Sequence, residues 1–115
     1  LGYQEMRWIQ GRAEDELSQL VSQLTRQAAA RSPASPQLIV ALNPSRRGCQ
    51  PRVLELIAQL KPRRIAYMSC DAKTLIRDLE RLHALGYDAQ SLTLFDMFPG
   101  SDHFETVAVI EPRGD

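Results

Sequence analysis

Ile65-Ala66-Tyr67-Met68-Ser69-Cys70-Asp71-Ala72-Lys73-Thr74 carries a strand straight into a helix. Ile65 to Met68 is short, apolar and rich in strand formers. Asp71 suits a helix N-cap. Leu75, Ile76, Leu79 and Leu82 then recur as an inner helical stripe, and Gly86 is a good stop. The same alternation repeats upstream. Leu38 to Leu42 is a continuous apolar run between turn residues, as in a strand covered on both faces. A polar turn spans Asn43 to Gln50. Pro51 suits the first position of a helix, with Val53, Leu54, Ile57 and Leu60 inside, and Pro62 ends it. Before that, Met6 to Gln10 reads as a short strand. Glu14, Asp15 and Glu16 favour a helix start, and Leu17, Leu20, Val21, Leu24 and Ala28 form one stripe until the Ser32 to Pro36 loop. Downstream, Ser91 to Phe95 alternates as a strand, Pro99-Gly100 signals a turn, and Phe104 to Ile110 is the final strand.

The order is β-α-β-α-β-α-β-β. It predicts an α/β fold with a parallel sheet and helices on both faces. About seven residues join the last two strands, which suits a hairpin and not a crossover. The sheet is therefore expected to be mostly parallel, with an antiparallel terminal hairpin.

Composition bounds the rest. The chain has 115 residues, 43% hydrophobic and 24% charged, values of a folded domain and not of a disordered or fibrous chain. No apolar run approaches the roughly 20 residues of a membrane span, so no membrane partner is expected. Fourteen basic residues balance fourteen acidic ones, and any case for an anionic partner must be local. Cys49 and Cys70 form no disulfide framework and no zinc spacing. A reducing, cytoplasmic setting and no metal are expected. Leu1-Gly2-Tyr3-Gln4 has neither an initiator Met nor a leader pattern, and reads as an interior point of a longer chain.

Ligands of open α/β sheets sit beyond the carboxyl ends of the strands. Asn43, Ser69-Cys70 and Asp96 follow three strands, and Glu105 opens the strand that returns from that end. Cys70, between a strand and a helix N-terminus, reads either as a thiolate nucleophile or as a small buried hydrophobe. Glu105, ahead of Val107 to Ile110, reads as a partly desolvated base or as an edge charge facing water. His103, two residues earlier, shares its face, and is otherwise an ordinary loop histidine. Arg46 and Arg47 can meet phosphates or simply be solvated. Phe95, Met97 and Phe98 can stack on a base or pack. Lys61, Arg63 and Arg64 lie at the opposite end of a strand, as a solvated or auxiliary cluster.

Three segments resemble RNA uracil-5-methyltransferases. Leu42-Asn43-Pro44-Ser45-Arg46-Arg47-Gly48 is similar to their Asp/Asn-Pro-Pro-Arg-x-Gly loop. IAYMSCDAKT, 65–74, resembles Tyr-x-Ser-Cys-Asn-x-x-Thr. DMFPGSDHFETV, 96–107, resembles Asp-Met-Phe-Pro-x-Thr-x-His-x-Glu. The order and spacing agree. Ser45 stands for the second Pro, Asp71 and Ala72 for Asn and Pro, and Ser101 for Thr. The resemblance implies methyl transfer from S-adenosylmethionine to uridine C5 in RNA, with Cys70 attacking C6 and Glu105 removing the C5 proton. It implies that Asn43 lies near the methyl donor and that Arg46, Arg47, Phe98 and His103 contact RNA. Asn-Pro before Arg-Arg-Gly looks most like the 23S rRNA branch, with tRNA the alternative.

The family's glycine-rich donor loop and ribose-binding acid have no match. Residues 1–115 are thus expected to be part of a catalytic domain, the C-terminal half of a Rossmann-like class I methyltransferase sheet. The cofactor half and RNA-binding domain would lie upstream. A chain cut there would be inactive and prone to homodimerise. The competing readings are a non-catalytic RNA-binding α/β module and a generic α/β interaction domain.

Overall fold

The computed structural model describes residues 13–30, 38–96, 100 and 104–114, with the backbone alone at Glu14 and 24–30. Three helices and four strands alternate: α1 (Ala13–Ala30), β1 (Ile39–Leu42), α2 (Pro51–Gln59), β2 (Arg64–Ser69), α3 (Ala72–Ala84), β3 (Tyr87–Asp96) and β4 (Phe104–Pro112). The expected strand at 6–10, the Ser/Pro loop and the side chains of Leu24 and Ala28 lie outside the described residues. No helix among the described residues is long and apolar enough to cross a membrane.

One sheet holds all four strands in the order β1-β2-β4-β3. β1 and β2 pair in parallel, and β4 runs antiparallel to both β2 and β3. Three strands therefore point one way, and the fourth returns between two of them. The expected terminal hairpin is β3–β4. Both strands are longer than their sequence patterns suggested.

Each helix follows from its apolar spacing and its ends. Pro51 opens α2, whose Val53, Leu54, Leu56 and Ile57 are buried. Asp71 caps α3 by accepting hydrogen bonds from the N–H groups of Lys73 (3.0 Å) and Thr74 (3.1 Å). Gly86, at φ +96°, closes the other end in a conformation that costs glycine little. Leu75 and Leu82 of α3 are buried, but Ile76 is 57% exposed. It sits one residue off the inner line that runs through 75, 78 and 82.

The helices all cover one sheet face, not two. Val40 and Leu42 of β1, Ile65 and Tyr67 of β2, and Ala108 and Ile110 of β4 join Leu17, Val53, Leu54, Ile57, Leu75 and Leu82 in a single core. α1 lies against α2, and α2 against α3. The reason is topological. From β1 to β2 and from β2 to β3 the chain steps in the same direction across the sheet. Right-handed crossovers that step the same way lay their helices on the same face. Residues of opposite parity stay open among the described residues: Ile39, Met68 and Phe95 are all exposed. Among the described residues β1 is thus covered on one face only, where its continuous apolar run suggested two.

Within the core lies one buried carboxylate. Asp78 takes the α3 position between Leu75 and Leu82 and has no solvent exposure. Its Oδ2 accepts from the Tyr67 hydroxyl at 2.6 Å and from the Cys49 N–H at 2.8 Å. Its Oδ1 accepts from Arg77 Nε at 3.2 Å and Nη2 at 3.1 Å. Burial, and then the bond to Asp78, push the Tyr67 phenol well above its ordinary pKa, so the phenol stays a donor. Tyr67→Phe removes that donor from a buried acceptor and is expected to cost roughly 1–3 kcal/mol. Asp78→Ala strands a guanidinium, a phenol and an N–H, and is expected to cost about 3–5 kcal/mol. Denaturant titration of both variants measures this. Equal stability of Asp78→Ala and the parent chain would contradict the assignment.

Candidate active site

The site is built from the carboxyl ends of β1 and β2 and the opening of β4. Asn43 directly follows Leu42, the last residue of β1, and is exposed. Cys70 directly follows Ser69, the last residue of β2, and is exposed as a free thiol. Glu105 is the second residue of β4 and half-buried. Ser69 pairs with Thr106 across the β2–β4 ladder. Cys70 follows the first member of this pair and Glu105 precedes the second, so both lie at the same end of the ladder. Within β4, strand alternation gives Glu105 the parity of Val107, which is that of the open sheet face, while Asn43 and Cys70 lie just past the ends of β1 and β2. Asp96 ends β3 at the same edge and pairs with Phe104.

The turn that presents Cys70 is tightly built. The Ser69 hydroxyl donates to the Asp71 carbonyl oxygen at 2.8 Å and accepts from the Asp71 N–H at 3.1 Å. These two bonds bracket Cys70 between a buried serine and the helix cap. The cap also changes the reading of the helix terminus. Asp71 takes up the N–H groups of Lys73 and Thr74, so these two donors are engaged by the cap and not by the Cys70 sulfur. Ser69 was legible as a residue at the site, but its double hydrogen bond was not.

The loop bearing Asn43, Arg46 and Arg47 is pinned from behind. Gly48 N–H donates to Ser45 O at 2.9 Å, closing a turn with both arginines exposed at its tip. Gly48 has φ +73° and no room: a Cβ there would lie 2.6 Å from Arg77 Nη2 and 2.7 Å from Asp78 Oδ2. Arg77 Nη2 also donates to Arg47 O at 2.6 Å. The buried Asp78 thus ties this loop to the helix that begins beside Cys70. Sequence reading missed Asp78, Tyr67 and Arg77. The available signal was a charged residue standing three positions after Leu75 and four before Leu82, on the inner face of α3. Phe98 and His103 lie outside the described residues.

A family profile described as tRNA (Uracil-5-)-methyltransferase matches residues 34–113. The chain belongs to that family. Among similar relatives, an uncharacterized RNA methyltransferase of Clostridium acetobutylicum is 34% identical over 110 residues, 96% of this chain and 22% of the relative. The 23S rRNA (uracil(747)-C(5))-methyltransferase RlmC of Shewanella baltica is 40% identical over 83 residues, 72% of this chain and 21% of the relative. The crystal structure of the Pyrococcus abyssi tRNA (uracil-54, C5)-methyltransferase with S-adenosyl-L-homocysteine matches at TM-score 0.57 and 25% identity, covering 81% of this chain and 26% of that one. The complex of M1.HpyAVI with SAM shares the fold at TM-score 0.56 and 10% identity, covering 84% of this chain and 50% of that one. The chain spans about a fifth of the length of the curated relatives it matches. All three segments singled out from the sequence fall inside the part matched by the family profile.

The two thiols of this family member differ sharply in environment. Cys49 is buried, and burial together with the nearby Asp78 raises its pKa to about 11. Iodoacetamide at pH 8 is expected to modify Cys70 at least tenfold faster than Cys49, because the thiolate reacts and only Cys70 is exposed. Peptide mapping by mass spectrometry after timed quenching measures both rates. Equal labelling of the two in the folded protein would contradict the described turn.

Proposed function

We propose that this chain is the catalytic portion of an RNA methyltransferase that uses S-adenosylmethionine and forms 5-methyluridine, with 23S rRNA the favoured substrate. The observation that supports this reading is that Cys70 and Glu105 directly flank the last β2–β4 pair, Ser69 and Thr106, on the edge where Asn43 also emerges. A thiol and a carboxylate at the same end of neighbouring strands supply the two groups that substitution at uracil C5 requires.

The chemistry follows from the ring. Uracil C5 is a weak nucleophile. When the Cys70 sulfur adds to C6, the ring becomes an enolate with carbanion character at C5. When bound, S-adenosylmethionine would supply an electrophilic sulfonium methyl, which passes to C5 as the S–CH3 bond breaks and a neutral thioether is left behind. Glu105 then takes the C5 proton, the C5–C6 double bond re-forms, and the thiolate leaves C6. The bracketed turn at Ser69 and Asp71 holds the sulfur at the strand end. A stacked base is closed to such attack, so the uridine enters unstacked, from a loop or by flipping.

The described residues fit the methyl donor in one respect. Asn43 directly follows β1 at this edge and is exposed, available as a donor and acceptor for it. The crevice of an open α/β sheet lies where the strand order reverses, and these four strands contain no reversal. In this proposal the donor's main cradle and the cover of the open face come from the remainder of a longer catalytic unit. The relatives' length supports that division.

Two substitutions separate catalysis from mere RNA binding. In the full-length protein, Cys70→Ala is expected to reduce methyl transfer at least 10³-fold, since no other group activates C5. Glu105→Gln leaves addition and methylation possible but blocks proton removal. A methylated RNA is then expected to accumulate on Cys70 as an adduct that survives denaturing electrophoresis. Full activity in Cys70→Ala would overturn the mechanism, and a non-catalytic module would give neither result.

A further inference from the structure

Behind the loop that follows β1 the surface opens into a cleft of about 310 Å³, bounded by Ser45, Arg47, Gln50, Arg77 and Arg81. Its charge is one-sided. Three guanidinium groups and no surface acid line it, although the chain as a whole balances fourteen basic against fourteen acidic residues. Asp78 lies beneath, wholly buried, with its oxygens occupied by Tyr67, the Cys49 N–H and Arg77. It offsets one positive charge and leaves the cleft a surplus of two. It also sets Arg77 in place, with Nη2 held against the Arg47 carbonyl oxygen at 2.6 Å. Arg81 approaches Asp78 only to 3.7 Å, and the Arg77 and Arg81 side chains stay 40% and 37% exposed. The start of α2 adds to this. Gln50 gives no side-chain cap, Pro51 follows, and the first turn has no acid, so its positive end is unopposed.

We infer that this cleft holds a phosphate group of the RNA backbone, with Arg47 and Arg81 as its direct partners and Arg77 as a preset donor. Planar guanidinium forks match two oxygens of a phosphate. The cleft is open, which suits a strand passing across it more than a small ion enclosed. It adjoins the loop whose first residue, Asn43, reaches the proposed catalytic edge, so RNA seated there would be held in register by interactions that read no sequence. The inference rests on RNA as the substrate proposed above. Free inorganic phosphate has the same chemistry, and the test separates the two.

The test is RNA binding by the full-length protein, measured without methyl donor across a salt series. Arg81→Gln and Arg47→Gln are each expected to lower the slope of log K against log salt by about 0.7 to 1, the change produced when one fewer phosphate is neutralised. The weakening should be equal for RNA with and without the target uridine. Arg81→Lys should keep the slope, because the charge remains. Arg47 is exposed at a turn, so its variant supplies the answer should Arg81→Gln not fold. Unchanged slopes in folded Gln variants overturn the inference. So does loss of inorganic phosphate binding, followed by phosphorus NMR, with RNA slopes intact, which would mark a free-phosphate site. A protein with the expected slopes and no methyl transfer would sink the proposed function and leave this inference standing. Methyl transfer with unchanged slopes would do the reverse.

Discussion

A single buried carboxylate holds the working parts of this molecule in relation to one another. Asp78 belongs to α3, Tyr67 to β2, and Cys49 to the loop after β1; the latter two donate to Asp78 Oδ2 while Arg77 of α3 donates to Oδ1. A buried charge is tolerable only when its partners are complete, so the three elements cannot shift independently without stranding a polar group. The constraint reaches the edge. The Asp71 cap of α3 directly follows Cys70, β2 ends immediately before it, and the tied loop carries Asn43 and both exposed arginines. Gly48 is the residue that permits the approach, since any side chain would enter the space of Arg77 and Asp78.

How far the sequence revealed this depends on the kind of signal. Elements marked by periodicity and caps were legible: the Leu75 and Leu82 stripe, Pro51 at the start of α2, Asp71 as a cap and Gly86 as a stop. The terminal hairpin followed from the short connection after Asp96. What escaped was relational. The apolar run at Leu38 to Leu42 says that a strand is apolar, not that its second face is open among these residues. That depends on both crossovers stepping the same way, a property of strand order. Ile76 looks interior because it is apolar, yet it falls one residue away from the buried line. Asp78 gives no local sign of its role, because a carboxylate on a helix ordinarily faces water. Its partners come from positions 11 and 29 residues away, and no local pattern exposes them.

The candidate site shows the same division. Asn43, Cys70 and Glu105 stand out by their places after or at the start of strands, and the fold sets them along one edge. Their chemistry is more demanding than their placement. The Ser69 and Asp71 bonds hold the sulfur at the strand end, while the helix cap takes up backbone donors that a thiolate would otherwise use. Among the described residues the other sheet face is open at Ile39, Met68 and Phe95, and the chain spans about a fifth of the length of its curated relatives.

The central claim is that Cys70 bonds to uracil C6 while Glu105 waits for the C5 substituent to leave. RNA carrying 5-fluorouridine at the target position tests it most directly, because a base cannot remove fluorine from C5 as a cation. With S-adenosylmethionine present, the full-length protein should form a lasting one-to-one adduct that carries the transferred methyl group. Mass spectrometry of its digest should place the nucleotide on the peptide containing Cys70. An adduct on Cys49 or on another residue, or methyl transfer from a protein that never forms an adduct, would contradict the account.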